Sequence, residues 1–113
     1  MFKKRICFDL DGTLCETKNG DYKNSKPIES AINKVNYLYD NNYYIIIFTA
    51  RFMGRESGDI NKVYKRGYKL TTKQLDLWSV KFHELILGKP EYDMIIDDKH
   101  FNYNDSWINK KNF

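Results

Sequence analysis

A chain of 113 residues has the length of one small domain with a single core, and 42% hydrophobic and 16% aromatic residues are enough to fill it. No apolar run approaches the roughly 18 residues that a membrane helix needs, and 30% of the residues are charged, so the composition argues against a membrane protein. Lys and Arg exceed Asp and Glu by 19 to 15, for a net charge of +4; spread along the chain rather than gathered in a tract, these charges favour anionic partners without requiring nucleic acid.

The N-terminal MFKKRICFDL is basic, then apolar, but runs at once into Asp9 and Asp11, too soon for a secretory leader. A cytoplasmic location is the default expectation. Two cysteines are too few for a disulfide framework. Cys7 reads as a small core residue and Cys15 as a structural thiol, and with His83 and His100 they do not match zinc-ligand spacing.

In chain order, residues 4–8 (KRICF) predict a buried strand. Residues 12–26 are rich in Gly, Asn, Asp and Lys and read as a loop with room for a small hairpin. Pro27 is expected to open a helix in which Ile28, Ala31, Ile32, Val35, Leu38 and Tyr39 recur at helical spacing, ended by Asp40, Asn41 and Asn42. The continuous apolar run YYIIIF over 43–48 predicts a central parallel strand buried on both faces. After a loop over 50–58, two helical pieces are expected near 59–66 and 71–80, the second capped by Thr71 or Thr72. Leu85–Leu87 and Met94–Ile96 are both apolar, but the six residues between them are too few for a parallel crossover. Met94–Ile96 is read as the strand, and Leu85–Leu87 as antiparallel, an edge piece or no strand. The polar tail with Trp107 and Ile108 is expected to dock as a short helix. Strand, helix, strand, helices, strand is an α/β order with a mainly parallel sheet.

Polar residues follow three of these apolar runs: Asp9 and Asp11, Thr49, and Asp97 with Asp98. The C-terminal rim of such a sheet is where ligands bind. Asp9 and Asp11 point the same way in extended backbone. Two converging carboxylates repel unless a cation lies between them, and a hard divalent ion such as magnesium suits oxygen ligands. Gly12 permits a sharp turn, and Thr13 offers a hydroxyl and an amide to a phosphate. D-x-D-G-T alone is no more than a turn with a capping Asp. D-L-D-G-T-L directly after a buried strand points instead to chemistry, and it lacks the further acids of a helix–loop–helix calcium site.

FDLDGTL, a later strand ending in Thr49 and a further run ending in IDD resemble the haloacid dehalogenase superfamily of phosphohydrolases, over residues 4 to 99. The resemblance implies a Rossmann-like three-layer sandwich with a mainly parallel central sheet and a single domain over residues 1–113. It implies Asp9 as the nucleophile that becomes an aspartyl-phosphate, and Asp11 as the acid that protonates the leaving oxygen and then the base that activates water. Thr49 would hydrogen-bond the phosphoryl oxygens. Magnesium would be held by Asp9, Asp11, Asp97 and Asp98, with Asp98 favoured if one of the last pair binds directly. Lys89 in GKP is the expected phosphate lysine, with Lys99 and Lys81 as alternatives. Gly12, Thr13 and Arg51 are candidate substrate contacts, since a guanidinium fork matches phosphate.

Residues 12–26 and 50–84 leave no room for a cap domain, so an open site is expected. TARFMGRESGD, GYKLTTKQLDLW and LGKPEYDMIIDDK resemble a bacterial branch described as capsule or surface-polysaccharide biosynthesis phosphatases, which implies a phosphorylated sugar or sugar-linked phosphate as substrate. Two other readings remain at this level: a phosphatase of protein or nucleic-acid ends, and a non-catalytic binding module that kept the fold. A mutase is disfavoured because no cap excludes water. A homo-oligomer is left open.

Overall fold

Three short apolar runs pair side by side and set the frame for everything else. The computed structural model of the chain describes residues 1–111 and 113. β1 (Arg5–Phe8) leads into a two-stranded antiparallel arm, β2 (Cys15–Glu16) and β3 (Lys26–Pro27), then α1 (Glu29–Asp40), β4 (Tyr44–Thr49), α2 (Ile60–Leu77) and β5 (Glu84–Leu87). Tyr22–Asn24 and Asp105–Asn109 form 3-10 turns. Among the described residues the main sheet has three strands, all parallel, in the order β1-β4-β5. Among the described residues this is a small α/β domain with two α-helices.

YYIIIF does form the central strand. Ile45, Ile47 and Thr49 are fully buried, while Tyr44, Ile46 and Phe48 on the opposite side are partly covered. The register places Phe8 beside Ile47 and Ile47 beside Leu85, so these buried side chains share one face. Burying each Ile stabilises the fold by about 1.5–3 kcal/mol. Leu85–Leu87 is therefore a parallel strand, reached through α2.

Both crossovers run the same way along the sheet, and right-handed connections then put both helices on one face. Val35 and Leu38 of α1 and Val63 and Leu75 of α2 fill the core against Phe8, Ile47 and Leu87. Among the described residues the expected third layer is absent, and the other face carries Cys7, Ile46, Phe48 and Ile86. Cys7 is consequently exposed, not a core residue, and of β1 only Phe8 is fully buried.

Several local expectations change for clear reasons. Pro27 belongs to the arm, paired with Cys15, and α1 begins at Glu29 after Ile28. The two helical pieces are one helix, α2, capped by Asp59, whose side chain accepts from the Lys62 amide. Thr71 is buried inside it and the Thr72 hydroxyl donates back to the Tyr68 carbonyl, so neither is a cap. Gly67 sits mid-helix because a Cβ there would come 2.6 Å from Phe52. Met94–Ile96 is not a strand: Met94 is 78% and Ile96 92% exposed. With six residues after β5, this run has no crossover to bring it parallel to the sheet. Trp107 does dock through the last 3-10 turn, against Phe8.

Candidate active site

The end of β1 and the turn after it build the first wall. Leu10 is completely buried, and its neighbours Asp9 and Asp11 both face one pocket of roughly 690 Å³. The Leu10 carbonyl accepts from the amides of Thr13 and Leu14, which tightens the turn. Gly12 takes the left-handed φ of +87° that this turn requires and that side chains disfavour.

The end of β5 supplies the second wall. Gly88 turns the chain at φ +99°, the Lys89 amide donates to the Thr49 carbonyl, and the Lys89 ammonium comes 3.4 Å from Asp9 Oδ1. Pro90, Glu91, Tyr92 and Asp93 continue this wall. Burial raises the Asp9 carboxyl above its usual range, and the nearby Lys89 charge partly opposes that rise. Lys89 itself is raised despite desolvation, which acts to lower it, because Asp9 and Tyr92 favour its charged form.

Arg51, just past β4, closes the floor. It is 1% exposed, and all five of its N–H groups face protein acceptors. Nε lies 2.9 Å from Asp11 Oδ2 and 3.2 Å from Oδ1; Nη2 lies 2.9 Å from Oδ1 and 3.2 Å from Ser25 Oγ. Nη1 donates to Gln74 Oε1 at 2.5 Å and to Thr71 Oγ1 at 3.3 Å. The Tyr22 ring lies 5.0 Å from its guanidinium carbon.

The arm is drawn into the same network. Thr17 Oγ1 donates to Asp11 Oδ1 at 2.5 Å and lies 2.6 Å from Ser25 Oγ. Cys15 Sγ donates to Asp11 Oδ1 at 3.4 Å. Burial, with the Asp11 charge adding to it, pushes the Cys15 thiol up to about 11.

Of the residues expected from sequence, Asp9, Asp11, Arg51 and Lys89 thus meet at one pocket. Thr49 is buried behind it, its hydroxyl accepting from the Arg51 amide, and does not line it. Gly12 and Thr13 shape the turn without lining the pocket, and the Thr13 amide is committed to Leu10. Lys81 pairs with Asp40, away from the pocket. Asp97 and Asp98 are exposed and lie outside it, as does Lys99, whose amide donates to Asp97. Among the described residues no group of three or more His, Cys, Asp or Glu converges as a metal shell, so the expected set of Asp9, Asp11, Asp97 and Asp98 is not assembled.

Sequence reasoning missed Tyr22, Glu91, Tyr92 and Asp93 as pocket wall, and Thr17, Ser25, Thr71 and Gln74 as partners of Asp11 and Arg51. One signal was present. Thr71 and Gln74 continue the buried stripe of Val63 and Gly67 along α2, and polar residues on a buried stripe need buried partners.

No family model matches the chain, and no curated protein matches it. Among solved structures, an MCSG target protein from Vibrio cholerae is 30% identical, covers 94% of each chain and superposes with a TM-score of 0.81. A chain of the Pnkp1/Rnl/Hen1 complex superposes with a TM-score of 0.56 at 16% identity, over 89% of this chain and 31% of the other, a likeness of fold alone.

Proposed function

The chain belongs to the family of that Vibrio cholerae protein, and we propose that within this fold it is a phosphomonoester hydrolase of the haloacid dehalogenase type, with Asp9 as nucleophile. One observation carries the reading: the ends of β1 and β5, on either side of β4, bring Asp9, Asp11 and Lys89 to one open pocket, with Lys89 against Asp9.

In the first step an Asp9 carboxylate oxygen bonds to phosphorus while the bond from phosphorus to the leaving oxygen breaks, and Asp11 gives that oxygen its proton. In the second, water attacks phosphorus, its proton passes to Asp11, and the bond to Asp9 breaks to release phosphate. The Lys89 ammonium offsets the charge on the transferring oxygens. Phosphoryl transfer asks a protein mainly for such positioning and charge.

Magnesium belongs to this proposal for a reason of charge. With Asp11 holding the proton that it gives in the first step, the pocket wall still sets Asp9, Glu91 and Asp93 against Lys89 and Arg51. A phosphate dianion meets excess negative charge there unless a divalent cation enters with it. The residues at the pocket do not form a complete ligand shell, and none of the steps above is routed through the ion.

The proposed substrate is a phosphorylated sugar or sugar-linked phosphate from surface-polysaccharide synthesis. The open pocket has room for a sugar ring, and Tyr22 and Tyr92 are part of its wall. Phosphate release from a panel of sugar phosphates, 3′- and 5′-phosphorylated oligonucleotides and phosphopeptides, each with magnesium and with chelator, tests the reading. Magnesium-dependent release led by sugar phosphates supports it. Release led by oligonucleotides or peptides would replace the substrate class, and no release from any of them would overturn the hydrolase reading.

A further inference from the structure

The two oxygens of Asp11 are held very differently. Oδ1 receives three donors of its own: Arg51 Nη2 at 2.9 Å, Thr17 Oγ1 at 2.5 Å and Cys15 Sγ at 3.4 Å. The single Nε–H of Arg51 is shared, 2.9 Å from Oδ2 and 3.2 Å from Oδ1, and is the one donor to Oδ2. A carboxylate oxygen offers about two lone-pair sites, so Oδ1 is saturated and Oδ2 keeps one site open on a pocket wall.

Arg51 is itself fixed from behind. Gln74 and Thr71 of α2 hold Nη1, and Ser25 of the arm receives Nη2. A side chain this buried, with every N–H directed at protein, has no donor left for a substrate. It can still dictate which way the Asp11 carboxylate is turned. The sequence pattern made Arg51 a phosphate contact; its surroundings assign it other work.

Building on the proposed hydrolase reading, we infer that Arg51 is a positioning residue that acts through Asp11: it locks Oδ1 inward and leaves Oδ2 as the oxygen that gives and takes the proton in the pocket. The proton leaves Oδ2 for the leaving oxygen in the first step and returns to Oδ2 from water in the second. Thr17 completes the lock, so the arm helps to orient the acid.

The test measures kcat and KM for an aryl phosphate with magnesium in wild type, Arg51→Gln, Asp11→Asn and the double variant, with thermal unfolding to confirm folding. Misplacing a reacting group by about 1 Å costs on the order of 10²-fold. Arg51→Gln is therefore expected to lower kcat by about that factor while KM changes by less than about threefold, because an interaction felt only in the transition state leaves KM unmoved. In the Asp11→Asn background the same change should cost nothing further, since residues acting as a unit are not additive. An Arg51→Gln protein that keeps full kcat, that raises KM alone, or whose loss adds fully to that of Asp11→Asn would overturn the assignment. If Arg51→Gln does not fold, Thr17→Val decides: it removes one donor from Oδ1 without stranding a buried charge, and is expected to lower kcat several-fold with unfolding unchanged, whereas unchanged kcat overturns the assignment. Wild type without turnover on any phosphomonoester removes the hydrolase reading itself, and this assignment with it. An active wild type with an indifferent Arg51 removes this assignment alone.

Discussion

Lys89 reaches back from the end of β5 to place its ammonium 3.4 Å from Asp9 Oδ1, at the end of β1, so a strand on one edge of the sheet serves a carboxylate on the other. The Asp9 carboxyl sits above its usual range because burial disfavours its charge, and Lys89 is the largest influence pulling it back.

Replacing Lys89 with Met removes that pull. The nucleophile must be ionised to attack, so the acid limb of the pH–rate profile is expected to move to higher pH. With the cation also lost from the phosphoryl oxygens, kcat/KM should fall by about 10²- to 10³-fold. A profile of kcat/KM against pH for Lys89→Met beside wild type checks both effects.

Asp9→Asn should be more stable than wild type at neutral pH. The folded protein holds the Asp9 carboxyl above its unfolded value, so this group contributes stability that is fully present below the unfolded value and lost as pH rises through the folded one. At pH 7 that contribution is gone, and the neutral amide escapes the cost of a half-buried charge. Loss of the Lys89 ion pair offsets part of the gain, because the pair is partly solvated. Thermal unfolding at pH 7 is expected to shift upward in Asp9→Asn, and the advantage should shrink as the pH is lowered towards the usual carboxylate range.

Gly67→Ala tests the packing of α2 on the loop after β4. In an open helix this change is favourable by up to about 1 kcal/mol. Here the added carbon would stand 2.6 Å from the Phe52 ring and 3.1 Å from Leu87. Phe52 is itself buried and held at φ +67°, so it has little freedom to retreat. Net destabilisation of about 1–3 kcal/mol is expected from denaturant unfolding.

The two thiols should separate cleanly. Cys7 is exposed, yet desolvation raises its thiol above the ordinary value, while Cys15 is fully buried and raised to about 11. The thiolate is the reactive form. A thiol reagent at pH 8 is expected to modify Cys7 slowly and Cys15 only after unfolding. Peptide mapping of the labelled protein reads this directly.

The parts of the fold legible in the sequence were those with a strong local pattern. YYIIIF could only be a buried strand, and the stripe from Ile28 to Leu38 announced α1. The parts that escaped depended on distant partners. The sequence predicts helical pieces near 59–66 and 71–80, whereas Gly67 between them is the small residue that lets Phe52 and Leu87 approach one continuous helix. Met94–Ile96 has the composition of a strand but follows β5 too closely to cross over the sheet, while Leu85–Leu87, the weaker candidate, has α2 before it and pairs with β4. At the site, Asp9 and Asp11 could be picked out because two carboxylates spaced for one side of an extended chain are costly without a purpose, whereas Lys89 is expected only from the family resemblance, beside Lys99 and Lys81. The buried contacts of Arg51 could not be picked out, because its acceptors come from the turn after β1, from the loop between the arm strands and from α2, at separations of 20 to 40 residues.

The central claim is that Asp9 attacks phosphorus. The most direct measurement is steady-state hydrolysis of an aryl phosphate by wild type and by Asp9→Asn, each with magnesium and each confirmed to be folded. Turnover by wild type that is lost by at least about 10³-fold in Asp9→Asn is the expected result. Equal turnover in the two proteins would contradict the claim.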